Sequence, residues 1–121
     1  MAALVGKRFE SPDEVREFTG GTGDVKLVKL NGNTVGLGTF KPGWRWSQNV
    51  KPIAGTDSCQ VEHIGYVLEG RMALRMDDGS EHEFGPGDAF DMPPGHDAWI
   101  VGDEPCVLLD FGGLKGYAQP S

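Results

Sequence analysis

Apolar and polar residues alternate along most of the chain in short runs. Between residues 25 and 30 apolar side chains alternate with lysines, and later runs lie at 34–40, 60–68, 73–76, 81–84, 89–92, 98–101 and 107–111. A period of two places successive side chains on opposite faces of a strand. The pattern therefore predicts many short strands, each buried on one face.

Turn sequences separate these runs. Asn31-Gly32-Asn33 is a hairpin signal, and Gly85-Pro86-Gly87 and Pro93-Pro94-Gly95 interrupt the second half of the chain. Six strand candidates follow one another between residues 60 and 111 with no length left for crossover helices. We therefore predict an all-β protein, an antiparallel barrel or sandwich.

The N-terminal third carries different signals. Ser11-Pro12-Asp13-Glu14 has the residues of a capping box with a proline at the first helical position, which predicts a short helix through about Phe18. Trp44-Arg45-Trp46 is predicted as a strand with both indoles on one face, and 48–58 as a loop. We expect 1–39 to be an N-terminal helix and strand extension and 40–121 to be the core, together forming one domain.

Composition narrows the partners. The 121 residues suit a single domain, and 19 Gly and 8 Pro suit short strands and tight turns. A net charge of -7 opposes binding to nucleic acid or to an anionic membrane surface. Neither a membrane span nor a secretory leader is indicated, so we expect a cytoplasmic protein in which the two cysteines, Cys59 and Cys106, remain thiols.

A set of glycines and prolines links the chain to a known family. Tyr66-Val67-Leu68-Glu69-Gly70 is followed by Gly87, Pro93 and Gly95 at the spacing G-x5-P-x-G. From about Phe40 to Phe111 the sequence resembles the cupins. The resemblance implies a single cupin-type antiparallel β-barrel, the double-stranded β-helix or jelly roll, in which these residues form the corners.

The metal ligands of the cupin family are replaced in this sequence. Counting from Gly70, the family's glutamate position is His63 and its two histidine positions are Asp57 and Cys59, while the histidine of the second motif is Ala98. Asp57, Cys59 and His63 have the same parity, so a continuous strand would direct all three inward. They would suit a borderline or soft divalent transition metal such as zinc, iron, nickel or copper. The alternative is a decayed site in which Cys59 is a small apolar core residue and Asp57 caps a turn.

Other residues complete the candidate site. His96 has the parity of Ala98 and would reach the site from the rim, as a catalytic or ligand-binding imidazole or else as a surface turn residue. Trp44, Trp46 and Phe90 are candidates for the apolar wall of a ligand pocket, or else plain core.

The resemblance does not select one activity, because the family includes dioxygenases, isomerases, decarboxylases and sugar-processing enzymes. We expect a barrel that binds a small polar organic molecule, either as a metal-dependent enzyme or as a metal-free ligand-binding or sensory module. We also expect a homodimer, with the strand-like segment 25–40 pairing with the partner.

Overall fold

The computed structural model describes residues 3–112, and the last nine residues of the predicted core lie outside that range. Within it the chain forms mainly strands, with two single-turn α-helices and a 3₁₀ turn at Thr19–Gly21. The strands are β1 Glu14–Glu17, β2 Gly23–Leu30, β3 Asn33–Phe40, β4 His63–Glu69, β5 Met72–Met76, β6 Glu81–Phe84, β7 Ala89–Met92, β8 His96–Ile100 and β9 Cys106–Asp110, and the helices are α1 Trp46–Asn49 and α2 Lys51–Ala54.

The strands form two antiparallel sheets. The larger sheet has the order β1-β2-β3-β9-β4-β7, and the smaller has the order β6-β5-β8. From β4 onward the chain passes repeatedly between the two, since β5 and β6 lie in the smaller sheet, β7 in the larger, β8 in the smaller and β9 in the larger. The predicted all-β antiparallel architecture is confirmed, as two sheets rather than one continuous closed sheet.

One apolar core lies between the two sheets. Buried and more exposed residues alternate along β4, β8 and β9, so each strand turns one face inward. Val67 and Phe90 from the larger sheet and Leu74 and Ile100 from the smaller belong to the same cluster of buried side chains. The interior is therefore shared by both sheets, and any polar group on an inward face must find its partner there.

The helix predicted through Phe18 is wrong. Glu14–Glu17 is strand β1, which pairs with β2, and the Asp13 carboxylate accepts hydrogen bonds from the Lys29 amide and the Lys7 ammonium. A helix of about six residues gains few internal hydrogen bonds for the backbone order that it requires, whereas the edge of β2 offers a ready ladder. Pairing with β2 thus overrides the capping signal.

The stretch around Trp44 also differs from the prediction. Arg45 makes only an isolated bridge to Trp99, Trp46 begins α1, and two short helices occupy part of the predicted loop at 48–58. The expected sidedness is nevertheless present, because Trp44 and Trp46 are both buried while the Arg45 guanidinium lies over the ring of Trp99.

The corner glycines behave as the family pattern implies. Gly70, Gly87 and Gly95 all have positive φ, at 74°, 92° and 93°. This left-handed region is readily available only to glycine, so the motif positions are fixed by backbone geometry. The N-terminal segment is part of the same core, since β2 and β3 are interior strands of the larger sheet. The boundary drawn between 39 and 40 stays a prediction.

Candidate metal centre and internal cavity

Three polar side chains meet in the interior. Cys59, His63 and His96 are all buried, and one potential ligand atom from each lies within 4.8 Å of the others. His63 is the first residue of β4 and His96 is the first residue of β8. The cluster therefore lies where a strand of each sheet begins.

A backbone bridge brings Cys59 to the cluster. The Cys59 amide donates to the His96 carbonyl at 2.8 Å, and the Gly95 amide donates to the Cys59 carbonyl at 2.7 Å. This isolated bridge links the segment before β4 to the smaller sheet. Cys59 is thus held by backbone hydrogen bonds although it lies in no strand.

A carboxylate orients the His63 ring. His63 Nδ1 lies 2.6 Å from Asp110 Oδ2, and both side chains are buried. An ionised carboxylate only accepts hydrogen bonds, so Nδ1 is the protonated nitrogen and donates. Nε2 lies on the other side of the ring, 3.7 Å from Cys59 Sγ.

A backbone carbonyl does the same for His96. Its Nδ1 lies 2.6 Å from the Pro93 carbonyl oxygen, which can only accept, so Nδ1 donates. The two imidazole rings lie 5.8 Å apart, centroid to centroid. In the neutral form of each ring the remaining Nε2 carries a lone pair and is able to act as a ligand.

The surroundings shift the pKa values of Cys59 and His63 in opposite directions. Burial on its own would raise the pKa of the Cys59 thiol, but hydrogen bonds from His63 and His96 outweigh it and lower this pKa to about 6. Burial would likewise lower the pKa of His63, but its hydrogen bonds to Asp110 and Cys59 raise that pKa to about 9. Without a cation the cluster therefore favours a thiolate beside an imidazolium.

This donor set fits a metal ion. A tetrahedral ion with bonds of about 2.3 Å to sulfur and 2.0 Å to nitrogen separates those two ligand atoms by about 3.5 Å, close to the 3.7 Å observed between Cys59 and His63. Both imidazoles also have the outer hydrogen bond that ligating histidines usually make, one to a carboxylate and one to a carbonyl. Sulfur with two nitrogens favours zinc or another late transition metal over magnesium or calcium.

Two of the predicted site residues, the ligand Asp57 and the rim residue His96, need correction. The Asp57 side chain is fully exposed, 3.6 Å from Lys51, and takes no part in the cluster. The parity argument fails there because β4 begins only at His63, so the chain before it does not alternate as a strand. His96 is not a rim residue: it is buried at 3% exposure as part of β8.

An internal cavity of about 30 Å³ adjoins the two imidazoles. That is two to three times the space that one water molecule needs. Trp44, Trp46 and Phe90 line it with His63, His96 and Asp110, and the rest of the wall is mostly apolar. The four predicted pocket residues thus surround one cavity, although that a ligand occupies it stays a prediction.

Sequence reasoning missed Asp110. The residue ends β9, which has the burial pattern of alternating inward and outward positions, and Asp110 shares the inward face with Cys106 and Leu108. An acid on the inward face of an apolar strand requires a buried partner. That parity was the available signal, and the partner is His63.

Family comparison agrees with this geometry. Residues 51–112 match the family model described as the cupin domain, which is just over half of the chain. The chain belongs to the cupin family. Among curated proteins none matches the sequence.

Solved structures show the same fold at low sequence identity. An RmlC-like cupin from Shewanella frigidimarina has 20% identity and a TM-score of 0.61, with 94% of this chain and 95% of that chain covered. A sugar phosphate isomerase of the cupin superfamily from Silicibacter pomeroyi has 21% identity and a TM-score of 0.61, covering 88% and 73%. A protein of unknown function from Acidithiobacillus ferrooxidans has 20% identity and a TM-score of 0.58, covering 81% and 86%.

In the described part of this cupin both cysteines are free and buried. Cys106 lies apart from the cluster, and burial raises the pKa of its thiol to about 11. No helix among residues 3–112 is long and apolar enough to cross a membrane.

Proposed function

We propose that the protein is a metal-dependent cupin enzyme that acts on a small polar organic molecule, with Cys59, His63 and His96 as the protein ligands. One observation carries the proposal: a thiol and two imidazoles converge, and each imidazole has its Nδ1 committed to a protein acceptor. Buried polar side chains placed this way are unusual in a plain core. Three protein ligands leave a coordination position for water or substrate, as a catalytic centre requires.

Each residue has a distinct part. Cys59 supplies a thiolate, whose charge offsets that of a divalent ion, and His63 and His96 supply neutral nitrogen ligands. Asp110 holds the His63 ring and keeps its proton on Nδ1. A bound metal would supply Lewis acidity toward an oxygen of the substrate or of a water molecule. The apolar wall around the cavity excludes bulk water and strengthens these electrostatic interactions.

The cavity limits the substrate. Within residues 3–112, no lysine or arginine lines it, and its volume is about 30 Å³. The name of the Silicibacter neighbour includes a sugar phosphate, and a phosphate group together with a sugar ring is much larger than this space of two to three water molecules. We therefore favour a substrate, or a reactive end of a substrate, of only a few heavy atoms.

A metal-free ligand-binding module is the alternative. It is favoured by the chain of contacts from Cys59 through His63 to Asp110, which satisfies these groups without an ion. In that case the cavity would bind its ligand and the thiol and imidazoles would serve as polar contacts only.

Metal content distinguishes the two. Protein purified without a polyhistidine tag would be examined by elemental analysis, and its melting temperature measured with and without a chelator. We expect about one zinc, iron, nickel or copper ion per chain and a lower melting temperature in chelator. His63→Ala and Cys59→Ala should lose both the metal and the chelator response.

Matched controls lie elsewhere in the same chain. Cys106→Ala and His82→Ala remove a thiol and an imidazole outside the cluster and should keep the metal and the response. Substoichiometric metal in the wild type, without a chelator effect, would overturn the enzyme proposal and favour the metal-free module.

A further inference from the structure

Two indole nitrogens in the interior have no acceptor within residues 3–112. Trp44 Nε1 and Trp46 Nε1 are buried, and neither has a hydrogen-bond partner among the residues that the structure describes. Both side chains are about 2% exposed. Both also line the cavity beside His63 and His96.

Two unpaired donors lower the stability of a core in which nothing else binds. A buried N–H donor without an acceptor loses its hydrogen bonds to water and gains none in return. Phenylalanine would provide an aromatic wall without that cost. Two unmatched donors around one cavity therefore indicate that an acceptor enters it.

The other polar groups of the wall already have partners. His63 contacts Asp110 and Cys59, and His96 contacts the Pro93 carbonyl. Asp110 also accepts from the Gly112 amide. The indoles are thus the donors that remain for an incoming molecule.

We propose that the cavity recognises a small carboxylate, each of whose two oxygens accepts a hydrogen bond from one indole, Trp44 or Trp46. The inference rests on the proposed function in that it makes this cavity the substrate site. A carboxylate supplies two acceptor oxygens for two donors. A volume of about 30 Å³ admits a group of formate or acetate size rather than a larger acid.

Nuclear magnetic resonance of the indole groups tests the proposal directly. Protein labelled with ¹⁵N in its three tryptophans would be titrated with acetate and formate, in zinc-loaded and in chelator-treated form, with chloride and ethanol as reference additions. We expect the Trp44 and Trp46 N–H signals to shift together and to saturate. Trp99, which lies under Arg45 and outside the cavity wall, should not move.

Substitutions assign the effect. Trp44→Phe and Trp46→Phe should each weaken acetate binding about tenfold or more, as the loss of one hydrogen bond to a charged acceptor predicts, whereas Trp99→Phe should leave it unchanged. Indole signals of the wild type that stay still in acetate and formate, or that move equally in chloride, would overturn the proposal without any variant.

The two proposals fail separately. If zinc binds in calorimetry but the indole signals do not respond, the metal centre stands and the carboxylate site is refuted. If the indole signals respond in protein that binds no zinc, the carboxylate site stands and the metal-dependent function is refuted.

Discussion

The two ends of strand β9 have opposite chemistry. At its first residue Cys106 is enclosed by apolar side chains, and burial raises the pKa of its thiol to about 11. At its last residue, about 13 Å away, Asp110 holds the His63 ring by a hydrogen bond. His63 in turn faces Cys59, and the pKa of the Cys59 thiol is lowered to about 6. Two buried cysteines in one core thus differ because one has imidazole partners and the other has none in the described residues.

The comparison indicates that the Cys106 end of the interior contributes mainly to stability, whereas the Asp110 end carries the candidate functional groups. The Cys106 end combines close backbone contacts with apolar side chains. The Asp110 end combines polar groups with a cavity. We therefore expect substitutions at the first end to change stability, and those at the second to change binding.

The largest effect is expected at the Cys106 end. Gly70 has φ of 74°, and a Cβ there would lie 2.3 Å from the Pro105 carbonyl oxygen and 2.6 Å from Cys106 Cα. Gly70→Ala should therefore lower the free energy of unfolding by about 3 kcal/mol, through strain and overlap together. Gly87→Ala has a positive φ but open space and should cost only about 1 kcal/mol. Equal losses in denaturant unfolding would contradict the close contact.

Asp110→Asn should act at the other end. The carboxylate accepts from the His63 ring at one oxygen and from the Gly112 amide at the other, and in asparagine one of these positions becomes an NH2 group that cannot accept. We expect zinc affinity, measured by calorimetry, to fall 10- to 100-fold. Asp91→Asn, on the exposed face of β7, should leave the affinity unchanged. If Asp110→Asn bound zinc like the wild type, Asp110 would not orient the ligand.

The raised pKa of the Cys106 thiol should make the stability of the protein fall at alkaline pH. Its pKa is higher in the folded protein than the ordinary value of about 9, so above pH 9 the unfolded chain loses a proton that the folded chain keeps. Burial of the neutral Cys106 thiol therefore contributes fully to the free energy of unfolding below pH 9, and this contribution is lost as the pH rises toward about 11. Denaturant unfolding at pH 8 and pH 10 should show a smaller decline for Cys106→Ala than for the wild type. Parallel declines would show that the thiol ionises as easily in the core as in water.

The smallest effect on the fold is expected at the outer face of the larger sheet. An apolar row crosses four neighbouring strands on this outer face. It consists of residues that are paired in register, namely Leu37, Leu109, Tyr66 and Ala89. Segment 25–40 does not offer a free strand edge to a partner as predicted, because β2 and β3 are each paired on both sides within the chain. We propose instead that a homodimer buries this apolar row. Sedimentation should give twice 13.0 kDa for the wild type and a monomer for Tyr66→Lys, with a dimer for the exposed control Glu62→Lys. A monomeric wild type would refute the dimer.

Local backbone requirements made much of the fold predictable. Gly70, Gly87 and Gly95 each adopt a conformation that glycine alone accepts readily, and the requirement acts on a single residue regardless of its neighbours. Alternation within β4 and β9 is similarly local. The capping box at Ser11 failed because its competitor, the edge of β2, lies outside the window in which a helix signal is evaluated.

The site was predictable only in part, because its residues meet through tertiary contacts. His63 and Cys59 were identified from the motif spacing, but His96 joins them through a bridge between segments far apart in the sequence. Asp57 was included because parity was extended beyond the true start of the strand. Asp110 carried a burial signal but no indication of which histidine it would contact.

The isolated bridge between Cys59 and His96 should make one backbone amide a probe of local opening in the protein. The Cys59 amide lies in no strand, yet it donates at 2.8 Å to the first residue of β8. Its hydrogen can exchange with solvent only when the segment before β4 moves away from the smaller sheet. We expect this amide to exchange as slowly as the centre of β4, and to slow further when a metal ion joins Cys59 Sγ to the two imidazoles. Isotope exchange at this one amide would thus measure how often the segment before β4 separates from the smaller sheet.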